Sequence, residues 1–313
     1  MKTALIFPGQ GSQSVGMGRD LQQNFSQAKE VFDEINDILG LNLTKIMFEG
    51  PADELIKTEN AQPALMAVSI ALIRIMQKEF GINLSDICSY VAGHSLGEYS
   101  ALCAVDSLTL KQTTRLLKIR GKAMANCAAQ SEGAMAAILG LEIESVEELV
   151  KISAQNDICQ VANDNSTGQI VISGHKSAII RATERAKEFG AKRAIILPVG
   201  GAFHSQLMIE AQHEMQEALS NAEIAKPIVP LIANVTADIV DNAGVIRELL
   251  IRQVTGSVRW RESLILMKNS GVEQVIEIGC GKVLCGLTTK TCPDIKTISI
   301  QNSEDLKSFA SNI

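Results

Sequence analysis

Short apolar runs alternate with longer stretches of helical spacing along most of this chain. TALIF at 3–7 reads as a buried strand ending in the turn PGQG, and SYVAG at 89–93 as a second strand leading into another tight turn. Helical stretches are predicted near 19–38, 62–79 and 109–130. Strands that feed turns and then helices predict an α/β core with a mostly parallel sheet. From about residue 131 the pattern changes: GAMAAILGL is a strand, ESVEELVKISA a helix, ICQVAN and QIVISG two strands, KSAIIRATERAKEF a helix and KRAIILPV a final strand. That order, βαββαβ, is the ferredoxin-like unit. Residues 131–198 are therefore expected to form a subdomain inserted into a core built from 1–130 and 199–313. The core resumes with a helix near 205–220, the strand PLIANV at 230–235, a helix near 242–254 and the strand QVIEIG at 274–279.

Composition narrows the classes of function. With 313 residues, 46% hydrophobic and 20% charged, the chain is an ordinary soluble globular protein of roughly two domains. Its net charge of −6, with no Lys/Arg cluster, argues against a nucleic-acid partner. The longest apolar stretch, ALMAVSIALI at 64–73, stops at Arg74 and is too short to span a bilayer, and the run before Pro8 is too short for a signal peptide. A cytoplasmic protein with no membrane partner is expected. Seven cysteines include no C-x-x-C pair, so free thiols are expected, with no disulfide framework and no metal site.

The turn after the second strand carries Gly-x-Ser-x-Gly, from Gly93 to Gly97. A strand before and the helix-compatible run EYSALCAV after it fit a nucleophile elbow at Ser95, whose oxygen would emerge at a helix N-terminus. The alternative is an N-cap serine, and Glu98 three residues on suits a capping box. A serine nucleophile needs a base. Of four histidines, His94 adjoins the serine and should diverge from it, His175 opens a helix of the small unit, and His213 lies on a polar helix face. His204 remains, in a loop that could reach the same sheet edge; it could equally be a loop histidine without a role.

Arg120 stands at the centre of an apolar helix face, with Leu116, Leu117, Ala123, Met124 and Cys127 within about 60° of it. A buried charge needs a partner, either an internal Asp or Glu or a substrate carboxylate that matches the guanidinium fork. The glycine turns PGQGSQ and GCGK fail as phosphate loops because Ser14, Leu284, Ile276 and Val283 occupy positions those loops require for other residues. The first turn can instead supply a backbone N–H at the sheet edge.

FPGQGSQ, GHSLGEYSA, IRGKAM, GQIVISG, AFHS and GKVLCGL, in this order from about residue 3 to 290, resemble the malonyl-CoA:acyl carrier protein transacylase family. The resemblance implies an α/β-hydrolase-like core carrying a ferredoxin-like subdomain. It implies a nucleophile at Ser95, a base at His204, oxyanion N–H groups at Gln10 and Leu96, a carboxylate-binding Arg120, and a main-chain carbonyl at Gln253 that orients the histidine. Phe203 in AFHS and Met124 are expected to line the acyl pocket, with the Phe203 ring disfavouring an α-methyl branch. Three positions depart from the family pattern where prolines are usual, at Cys280, Thr167 and Gly256-Ser257, and each departure loosens a turn.

The activity so implied moves a malonyl group from malonyl-CoA to the phosphopantetheine thiol of acyl carrier protein, in fatty acid biosynthesis, through a malonyl-serine. No cofactor is expected, and a monomer is. The alternatives are a serine thioesterase or esterase of similar core, or a non-catalytic carrier-binding homologue.

Overall fold

A computed structural model of the chain describes residues 1–312. Its strands are β1 (Thr3–Phe7), β2 (Tyr90–Gly93), β3 (Gly133–Leu139), β4 (Cys159–Ser166), β5 (Gln169–His175), β6 (Arg193–Ile196), β7 (Leu231–Ile232), β8 (Ile239–Val240), β9 (Gln274–Ile278) and β10 (Lys296–Ile300). Six of them form one sheet in the order β10-β9-β1-β2-β7-β8, parallel throughout except for the β7–β8 pair. β1 lies inside the sheet with every residue buried, which is why TALIF carries no solvent-facing alternation. β1 and β2 end side by side at Phe7 and Gly93, so both of their glycine turns emerge at one carboxyl edge.

The helix Thr58–Lys78 is buried at every position from Asn60 to Ile73. A helix apolar on all sides has to lie inside the molecule. It packs against the helices Ser26–Leu39 and Leu110–Gln130.

The second sheet has the order β4-β5-β3-β6 and is antiparallel throughout. Two helices, Ile143–Ala154 and Lys176–Arg185, pack Val146, Leu149 and Ile179 against its Ile138, Ile170 and Ile172. This is the ferredoxin-like order expected from βαββαβ. β4 also grips the large unit: Val258 N–H donates to Ala162 O (2.8 Å), Asp164 N–H donates to Val258 O (2.9 Å), and Arg261 pairs with Asp164 (2.8 Å).

Some elements differ from the expectation. The predicted helix near 19–38 is two helices, because Phe25 adopts an extended conformation between Arg19–Asn24 and Ser26–Leu39. Of PLIANV only Leu231–Ile232 pairs as strand, since beyond it Asn234 turns beneath the Ser95 turn. The helix Trp260–Asn269, the helix Val283–Thr291 and the edge strand β10 lie beyond the predicted elements. No helix among the described residues is long and apolar enough to cross a membrane.

Candidate active site

β2 stops at Gly93 and the helix Gly97–Ala104 starts four residues later, with Ser95 between them at φ +54°. Both glycines are required by close approach. A Cβ on Gly93 would lie 1.9 Å from the Gly97 carbonyl, and one on Gly97 would lie 2.3 Å from Phe7 O. Asn234 braces the turn from below, accepting from Ser95 N–H (2.8 Å) and donating to Gly93 O (2.7 Å). The Ser95 hydroxyl caps no helix: it bonds His204 Nε2 at 2.8 Å and accepts from Arg120 Nη2 at 3.0 Å. Glu98 makes no capping box either, and its carboxylate faces Asn234 N–H (3.3 Å) and Gln253 Nε2.

His204 is also at positive φ, +55°. Its Nδ1 stands 2.9 Å from Gln253 O and 3.1 Å from Gly256 O. Two carbonyls can only accept, so Nδ1 carries the proton and Nε2 is left bare toward Ser95. Burial above all, with the nearby Arg120 charge second, pushes the imidazole down to about 3, so it rests neutral. Despite the missing proline at Gly256-Ser257, this turn is held from the second sheet. Gln160 of β4 donates to His204 O (3.3 Å) and Thr255 O (3.1 Å), and Val258 is bonded to Ala162. Thr167 lies in the turn between β4 and β5, and Cys280 is buried behind β9. The other histidines are engaged elsewhere: His94 diverges from Ser95 to bond Asn165 (2.8 Å), His175 accepts from Ile158 N–H, and His213 is exposed beside Glu210.

Arg120 is 1% exposed, and no carboxylate among the described residues pairs with it. Its neighbours are neutral: Nη1 donates to Gln62 Oε1 (2.8 Å), Nη2 donates to Gln253 Oε1 (2.8 Å), and the Tyr99 ring lies 5.7 Å away. The internal Asp or Glu that was one of its two possible partners is therefore not in ion-pairing range. Met124 joins the same cluster, its sulfur 3.7 Å from Gln62 Nε2. Half-buried Phe203 packs against the large core and against the small cluster of Met135, Ala162 and Val171.

Gln10 sits in the turn after β1, and His94 N–H bonded to Phe7 O (3.0 Å) draws the two turns together. The main-chain N–H groups of Gln10 and Leu96 have no partner among the described residues, so both are free to meet an anion. No group of three or more His, Cys, Asp or Glu among those residues could hold a metal ion. Gln62, Asn234 and Gln160 were not singled out in the sequence. A polar residue inside an otherwise apolar helix was the available signal for Gln62 alone.

A serine on a strained strand–helix turn, bonded to a histidine whose far nitrogen is fixed, at the carboxyl edge of a parallel sheet, defines a serine acyl-transfer site on a hydrolase-like core. The comparisons narrow that class. Residues 4–305 match the acyl transferase domain. The malonyl CoA-acyl carrier protein transacylase of Bacillus subtilis is 44% identical over 307 residues, 98% of this chain and 95% of that protein. The crystal structure of the acyl-carrier-protein S-malonyltransferase from Bartonella henselae is 49% identical, with a TM-score of 0.97 over 100% of this chain and 99% of that one. A malonyl-transacylase in complex with its type II PKS acyl-carrier protein is 39% identical, with a TM-score of 0.95 over 100% of both chains. The chain belongs to the malonyl CoA-acyl carrier protein transacylase family, within the acyl transferases.

Proposed function

We propose that this protein transfers the malonyl group of malonyl-CoA to the phosphopantetheine thiol of acyl carrier protein, for fatty acid biosynthesis. The observation that carries the reading is the neutral-lined, buried Arg120 guanidinium bonded to the same oxygen that His204 contacts. A cation with no carboxylate in direct contact, beside a reactive hydroxyl, suits an acyl group that brings its own carboxylate.

In the first half-reaction Ser95 Oγ attacks the thioester carbonyl carbon while its proton passes to His204 Nε2. The oxyanion is held by Gln10 and Leu96 N–H, where preorganised donors lower the barrier most. The carbon–sulfur bond then breaks, and CoA leaves as the thiol with the proton from His204. In the second, the carrier thiol gives its proton to His204 and attacks the malonyl ester, and Ser95 leaves with that proton. Gln253 O and Gly256 O keep Nδ1 protonated throughout, so Nε2 is the only shuttle. Met124 and Phe203 line the acyl pocket, and residues 131–198 act as a subdomain covering one side of it. Ser95, His204, Arg120 and Gln253 all come from one chain, so the site is complete within a single copy; on this reading the protein works as a monomer in the cytoplasm, with no cofactor.

The test is intact-protein mass after mixing with labelled malonyl-CoA, followed by addition of carrier protein. A malonyl adduct that disappears as labelled carrier protein forms is expected. Release of free malonate without labelled carrier would make the protein a thioesterase, and no adduct at all would make it a non-catalytic homologue.

The depressed His204 gives a second expected result. A base is active in its neutral form, which persists above the folded value of about 3 and is lost only as pH falls through it. An imidazole at 6.5 would leave only ~3% neutral base at pH 5, a loss of about 30-fold. Rapid-quench acylation of Ser95 should show no such loss between pH 8 and pH 5. At saturating malonyl-CoA, a rate that falls with falling pH about a midpoint near 6.5 would contradict the geometry assigned to His204.

A further inference from the structure

Arg120 and Glu98 are both buried, and neither has a direct ionic partner among the described residues. The Gln253 amide stands between them. Its Oε1 accepts from Arg120 Nη2 at 2.8 Å, and its Nε2 donates to Glu98 Oε2 and to Ser95 O (2.9 Å). Only this orientation sets acceptor against guanidinium and donor against carboxylate. The two ions thus offset each other across one polarised amide.

The spacing has a consequence for turnover. A carboxylate in direct contact would cover the guanidinium fork, while a guanidinium with no counter-charge would hold a carboxylated acyl group as its sole partner. Binding that is equally strong before and after the transition state does not accelerate transfer. Resting on the reading of Arg120 as the acyl carboxylate's partner, we propose that Glu98 is a specificity-setting positioning residue: through Gln253 it fixes Arg120 and moderates its attraction for the carboxylate, leaving the edge beside Ser95 open.

Burial pushes the Glu98 carboxyl up to about 7, so its charge appears as pH rises through neutrality. The charged and titratable groups that face it are Arg120, from the helix Leu110–Gln130, and Tyr99 on its own helix. The loop at Asn234 presents it a main-chain N–H, and the end of the helix Ala243–Gln253 presents it the neutral Gln253 amide. β1, β2 and the helix Thr58–Lys78 present no charge to it.

The readout is the ratio of kcat/KM for malonyl-CoA to that for acetyl-CoA. CoA is common to both substrates, so its own titration cancels. At pH 8 Glu98→Gln should raise the ratio ~10-fold, through a lower KM for malonyl-CoA, because the removed anion no longer offsets Arg120. Glu98→Asp, which keeps the charge, should hold the parent ratio. In the parent the ratio should fall between pH 6 and pH 8.5, and in Glu98→Gln it should be flat. A ratio unchanged or lowered in Glu98→Gln overturns the proposal. If that variant does not fold, a flat profile in the parent overturns it alone. Arg120→Ala separates the two ideas: a ratio that does not fall there refutes the reading of Arg120. A fall there with Glu98→Gln at the parent ratio refutes only the role of Glu98.

Discussion

Ser95→Ala should fold and melt close to the parent and carry no malonyl adduct, with transfer reduced ~10⁴-fold or more. The positive φ at 95 costs Ala no more than Ser, since both bear a Cβ. The turn itself is held by main-chain and Asn234 contacts that the substitution leaves alone: Ser95 N–H to Asn234, Asn234 to Gly93 O, and Gln253 to Ser95 O. What is lost is the one oxygen that His204 Nε2 and Arg120 Nη2 both meet. Among the described residues no second hydroxyl or thiol is bonded to His204, so none of their side chains is placed to take over the attack. Intact-protein mass spectrometry after incubation with malonyl-CoA checks this directly. An adduct at parent yield in the folded variant would move the nucleophile elsewhere.

Arg120→Ala should cut kcat/KM for malonyl-CoA by ~2–5 kcal/mol, roughly 30-fold or more, by removing a buried charge-assisted pair with the substrate carboxylate. Acetyl-CoA has no carboxylate and should be spared or even improved, because a lone guanidinium no longer opposes a neutral acyl group. Part of the cost is common to both substrates. Gln62 and Gln253 each lose a donor, and a cavity opens beside Tyr99. The ratio between substrates removes that shared part, and the melting temperature reports it separately. An unchanged ratio with a large fall in melting temperature would make Arg120 a packing residue.

Much of this site was legible along the chain. Gly93, Ser95 and Gly97 declare themselves because the constraint is local: the chain reverses within five residues, and any side chain at either glycine would collide with backbone. The ferredoxin-like order was legible for a similar reason, since the periodicity of each element sets its type and the order sets the topology. Arg120 was conspicuous as a charge on an apolar face, but its face could not say which partner it meets. β10 was harder. KTISI is short and half exposed at the sheet edge, so its apolar signal is weak.

By itself the sequence determined the α/β class, the strained serine turn and the burial of Arg120, because each follows from sterics or periodicity over a few neighbouring residues. Only the tertiary structure decided what those groups do to one another. Gln62, Asn234 and Gln253 reach Ser95 and Arg120 from segments that are distant along the chain, and only Gln62, a polar residue in an otherwise apolar helix, differs in its local sequence from a solvent-facing amide. Glu98 suited a helix cap by its spacing from Ser95. It became the buried end of an amide-bridged ion pair because the fold sets Asn234 and Gln253 against it and shuts out water, and desolvation acts only in the folded chain.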